Sequence, residues 1–146
     1  MSGPAPALRS AAATQQALQS ALAAEQAAVY AYGVVGAYLS GTSQASATAD
    51  WLAHQEARDA LEAMLRSRGA QPAPAAVAYE LPIPVRSGSD AVSLAVMIED
   101  RVTTAYLGLV VVPAAEVRRF GAQQVQASAV RGAAWRGSTV AFPGLG

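Results

Sequence analysis

Four alanine-rich stretches of this chain carry apolar residues at the three-and-four spacing of one helix face. In three of them that face is interrupted by a titratable side chain. Glu25 stands among Leu18, Leu22, Val29 and Tyr32; His54 stands between Trp51 and Leu61; Glu99 stands among Val92, Val96, Thr103 and Tyr106. Burying a carboxylate is costly unless it is paired, protonated or bound to metal. Three such residues on core-facing stripes therefore have to meet in one polar cluster inside a helical bundle.

The pattern along the chain predicts four helices in a single domain spanning 1–146. Helix one covers about 6–39, where positions 15, 18, 22, 25, 29, 32, 36 and 39 form a continuous bundle-type stripe. Gly33 and Gly36 weaken its last turns, and close approach of a neighbouring helix is the expected compensation. Helix two covers about 43–69, ending at Gly69 with Arg66 and Arg68 in the last turn. Helix three covers about 89–112, helix four about 114–135 behind Pro113, and 137–146 reads as an irregular tail.

Between helices two and three, residues 70–87 contain four prolines and cannot form a regular helix. Eighteen extended residues span about 60 Å at roughly 3.3 Å each, whereas a 26-residue helix is about 39 Å long. The segment is long enough to run the length of the bundle, and alternation of Tyr79, Leu81, Ile83 and Val85 lets it pack against the side. Short turns at 41 and 113 make helices one–two and three–four antiparallel hairpins. The expected fold is all-α: a four-helix bundle of two antiparallel hairpins joined by one long Pro-rich crossover.

Counting back from the turns places Glu25 level with residue 57 on helix two, bracketed by His54 and Arg58. Glu99 falls level with residue 127 on helix four, where the stripe reads Val117, Phe120, Gln124, Ala127 and Arg131. Glu25, His54 and Glu99 are thus the candidate site, with Arg58 and Gln124 as polar neighbours. Arg58 is the expected bidentate partner of a carboxylate.

Composition narrows the chemistry. Charged residues make up 14% of the 146, net charge is zero, and no basic patch marks a nucleic-acid partner. Without cysteine there is no disulfide, thiolate metal site or thiol nucleophile. The start of the chain has no signal-peptide pattern, and the longest apolar run, Ala27 to Leu39, is too short to span a bilayer. A cytoplasmic protein without membrane contact is expected. Low charge and alanine-lined outer faces point to a homo-oligomer, with a two-fold dimer as the simplest form.

The stretches Ala24-Glu-Gln-Ala-Ala-Val-Tyr-Ala-Tyr32, His54-Gln-Glu-Ala-Arg-Asp59, Tyr79-Glu-Leu-Pro82 and Glu99-Asp-Arg101 resemble a ferritin-like group of unknown function from actinobacteria, over about residues 10–136. The resemblance implies a ferritin-like four-helix bundle. Metal-binding ferritin-like proteins take a Glu from each of two helices and a Glu-x-x-His pair from each of the other two. By that pattern Glu25 matches the first Glu, His54 the first His and Glu99 the second Glu. Trp51 stands where the Glu partner of His54 belongs, helix four has no Glu-x-x-His, and the chain has one histidine. A dinuclear centre is therefore not expected. The favoured reading is a pseudo-ferritin binding or assembly module with a metal-free polar core and no cofactor. The alternative is a mononuclear iron, manganese or zinc oxidoreductase or metal-binding protein using Glu25, His54 and Glu99.

Overall fold

The computed structural model describes residues 2–137 and consists of α1 (Pro6–Ala37), α2 (Gly41–Ser67), α3 (Gly88–Leu107) and α4 (Ala115–Arg136). The fold is an all-α four-helix bundle. Among the described residues no helix is long and apolar enough to cross a membrane. Residues 138–146, most of the expected tail, lie outside the described residues.

Local chemistry sets the helix ends. Proline in the first turn opens α1, where its missing N–H is not needed. The turn into α2 uses Gly41 at φ 58°, a left-handed backbone that a side chain would strain. At the other end of α2, Gly69 adopts φ 74° while its N–H bonds Arg66 O and the Ala70 N–H bonds Leu65 O. That pair of bonds satisfies the terminal carbonyls and turns the chain sharply. Ser87 caps α3 by accepting from the Asp90 N–H, and the Asp90 carboxylate in turn accepts from the Arg86 N–H.

The crossover is a strap tied along α1. Gln19 donates to Gln71 O at 2.8 Å and accepts from Ala73 N at 3.0 Å; Gln26 donates to Ala73 O at 2.8 Å. Farther up, Tyr79 packs on Tyr30 with ring centroids 5.7 Å apart, and Gly88 arrives beside the Tyr38 carbonyl. Leu81, Ile83 and Val85 pack partly buried against the core. The strap thus climbs from the lower half of α1 to its C-terminal end, so α3 runs antiparallel to α1 and parallel to α2. Leu18, Leu22, Leu61 and Leu65 fill the lower core completely shielded from solvent.

Two expectations need correcting. Helix α3 stops at Leu107, not Val112. Residues 108–112 form a compact turn that buries Leu109 and Val112 and leaves Val111 exposed. The turn presses on α4 at Gly121, where an added Cβ would stand 2.6 Å from Leu109 Cβ, and Arg118 ties it down by donating to the Val112 and Pro113 carbonyls. The apolar run 107–112 resembles a helix in sequence; this tertiary contact decides otherwise. Gly33 and Gly36 also differ from expectation, since a Cβ at either would meet nothing within 4 Å. Among the described residues no helix uses the space they leave.

Candidate polar core

The three stripe-breaking residues meet. Glu25 on α1, His54 on α2 and Glu99 on α3 are each completely buried. His54 lies between the two carboxylates: its Nδ1 is 2.5 Å from Glu25 Oε2 and its Nε2 is 2.8 Å from Glu99 Oε1. Both ring nitrogens are therefore engaged, on opposite edges of one imidazole.

Two tyrosines close the cluster reciprocally. Tyr32 of α1 donates to Glu99 Oε1 at 2.6 Å, and Tyr106 of α3 donates to Glu25 Oε1 at 2.6 Å. Each tyrosine follows the glutamate of its own helix by seven residues, two turns along the same face, and bonds the glutamate of the other helix. Because α1 and α3 are antiparallel, one spacing produces both bonds. The fourth helix contributes Arg131, whose Nε donates to Glu99 Oε1 at 3.0 Å. Glu99 Oε2 is buried without a hydrogen-bond partner among the described residues.

The guanidinium of the cluster is thus Arg131, and Arg58 does not enter it. Arg58 is partly exposed and pairs with the neighbouring Asp59 at 2.9 Å. Gln124 is also outside, half-buried with no side-chain bond to the cluster. Ser128, one turn on, takes the buried place and bonds Thr103 at 2.6 Å. The cause is a shift of level. Gly132, rather than Ala127, faces Glu99, since an added Cβ there would lie 3.4 Å from Glu99 Cβ. A long helical side chain leans toward the helix N-terminus, so Arg131 reaches back to the carboxylate. Its place on the apolar stripe of α4 was the sequence signal for it.

Burial and charge act against each other here. Burial alone disfavours a charged His54, but the hydrogen bonds and charges of Glu25 and Glu99 outweigh it, and His54 is pushed up to about 9. Burial likewise raises Glu99, yet the bond and charge of His54 and the charge of Arg131 hold its carboxyl below the ordinary value. Both tyrosines are driven well above the ordinary phenol range, first by burial and then by the adjacent carboxylate, so they act as neutral donors. At the edge of the cluster, burial raises Asp50, which accepts from Trp135 Nε1 at 2.8 Å. Two carboxylates, an imidazolium and a guanidinium sum to zero formal charge. The arrangement is a proton-rich network in which each acid has a fixed donor and only Glu99 Oε2 is left over among the described residues, and it ties all four helices at one level.

A family model described as Domain of unknown function (DUF4439) matches residues 17–146. The chain is also similar to the crystal structure of a conserved hypothetical protein from Mycobacterium tuberculosis. The two share 33% sequence identity over 92% of this chain and 95% of that one, with a TM-score of 0.88. Among curated proteins none matches.

Proposed function

The chain belongs to the DUF4439 family of domains of unknown function, and on that premise we propose that it is a pseudo-ferritin: a ferritin-like binding or assembly module whose interior is held by side-chain charges instead of metal. One observation carries the reading. The positive charge that a metal would bring to Glu25 and Glu99 is supplied by His54 and Arg131, leaving the buried set neutral by itself.

The donor set does not fit a resident ion. With Glu25 and Glu99 on opposite edges of the His54 ring, the three do not converge on one point, and the Arg131 guanidinium repels a cation beside Glu99. A buried ionic network of this kind specifies register more than it adds stability. It would hold four alanine-rich helices, which slide easily past one another, at a single level. The surfaces of such a module, not its interior, then do the work, as a two-fold dimer in the cytoplasm.

A mononuclear iron, manganese or zinc site on Glu25, His54 and Glu99 has one specific observation in its favour, the unpartnered buried oxygen of Glu99. Plasma mass spectrometry on untagged protein purified without chelator separates the two. The metal-free reading expects well under one equivalent of any transition metal and thermal stability indifferent to chelator. Close to one equivalent, lost in Glu25→Ala/Glu99→Ala, would overturn it in favour of an oxidoreductase or metal-binding protein.

A further inference from the structure

The four helices do not pack into a closed ring. Helix α1 packs on α2 and on α3, and α3 packs on α4. Helices α2 and α4 stand apart, bridged by side chains: Trp135 to Asp50 near the top and Arg68 to Glu116 at the bottom. A cleft of about 480 Å³ occupies the upper part of this seam, lined by Thr42, Ser46 and Asp50 of α2 and by Val130, Arg131 and Trp135 of α4. The polar core lies directly behind it, since Arg131 bonds the fully buried Glu99. Arg131 keeps 14% side-chain exposure, so at this seam the charged network reaches the surface. Val130, in the α4 wall, is 69% exposed.

The chain itself supplies an occupant. Gly137, where α4 ends, is part of the cleft lining. The sequence continues as Ser138-Thr-Val-Ala-Phe-Pro-Gly-Leu-Gly146, with no charged side chain and with Val140, Phe142 and Leu145 as its large apolar ones. Nine extended residues reach about 30 Å at roughly 3.3 Å each, and the α2 wall from Thr42 to Asp50 is about 12 Å long. Val140 and Phe142, two residues apart, would project to one side of an extended segment, which suits a wall that includes Ala49, Val130 and Ala134. Tethering decides between this segment and a free partner. A segment joined to the cleft by a few residues is present there at an effective concentration of about millimolar, which a separate molecule of equal apolar surface does not match. The family match, over residues 17–146, takes in the same segment.

We propose that residues 138–146 dock back into the α2–α4 cleft, with Val140 and Phe142 against Ala49 and Val130, and close the seam over Arg131 and Asp50. The contact is intramolecular, and it is independent both of metal in the polar core and of oligomeric state.

The chain has no cysteine, so a single introduced thiol reports on the cleft. In the full chain, Ser46→Cys places it in the lining, and Ala45→Cys, exposed one residue away and outside the lining, is the control. Labelling by a soluble aromatic disulfide is timed under native conditions. Adding Val140→Ser/Phe142→Ser should speed labelling of Ser46→Cys at least about fivefold and leave Ala45→Cys within about twofold. Val130→Ser alters the wall instead of the segment and should act in the same direction, at a position exposed enough to leave folding undisturbed. Helical circular dichroism should be unchanged throughout. No acceleration at Ser46→Cys overturns the proposal. So does an equal acceleration at Ala45→Cys, which reports general loosening. Protection that appears only on raising protein concentration places the segment on another copy and also overturns it.

Discussion

Replacing His54 with Gln removes the one titratable link between two buried carboxylates while keeping a side chain of similar size. In the folded protein His54 is held up at about 9, against 6.5 for the free side chain. Between those values the folded chain keeps a proton that the unfolded chain releases, so stability must fall as pH rises through that window. The contribution is complete below about pH 6.5 and gone above about 9. Each pH unit is worth about 1.4 kcal/mol per proton, so the window amounts to about 3 kcal/mol. His54 has no solvent exposure to screen this. Urea unfolding followed by circular dichroism, repeated across the window, measures it directly. The His54→Gln protein should be about 3–5 kcal/mol less stable than wild type near pH 6, since a buried pair has lost one partner. It should also lack the His-dependent slope. A wild-type stability that stays flat from pH 6.5 to 9, or a slope that persists in His54→Gln, would refute the bridged imidazolium.

The acid side of the profile has the opposite sign. Glu99 is held below its ordinary value, so its contribution is present above about pH 4.5 and lost on acidification through its lower folded value, which urea titrations at low pH would record. Tyr32→Phe and Tyr106→Phe each remove one hydrogen bond to a buried carboxylate, and each should cost about 1.5–3 kcal/mol in chemical unfolding. Near-equal losses are expected from the reciprocal geometry; a large effect of one and none of the other would contradict it. Arg131→Met should destabilise by about 2 kcal/mol or more, whereas Arg58→Met should change melting by less than about 1 kcal/mol equivalent, because only the former is bonded to Glu99. Gly121→Ala forces a Cβ against Leu109 and should lower stability by about 1–3 kcal/mol, read as a fall in Tm.

Much of this protein is legible in its sequence, and the reason is periodicity. A seven-residue repeat of apolar positions can bury only as helices in a bundle, and a proline-rich segment of sufficient length can join them only as a strap. Glu25, His54 and Glu99 were visible because a charge on an apolar stripe must be accounted for by burial with partners, wherever the helices end. The seven-residue separation of glutamate and tyrosine on α1 and α3 was also present in the letters. Its meaning was not, because the bonds cross between helices and exist only in an antiparallel pairing.

The identity of the buried guanidinium shows the limit most clearly. Arg58 and Arg131 both stood within a turn of the expected level, and a place on the apolar stripe of α4 did not by itself select Arg131 over Arg58, which shares a helix face with His54. What selects Arg131 is the level of α4, set by the compact 108–112 turn seated on Gly121. That no described residue approaches Gly33 or Gly36 was equally invisible, because a glycine records that a side chain is missing without recording what approaches. Sequence alone determined that Glu25, His54 and Glu99 had to be buried with partners, and in what kind of element. Only the tertiary structure decided which of them touch, because contact depends on the relative heights of packed helices, and those heights are fixed by turns and close approaches distant in the chain.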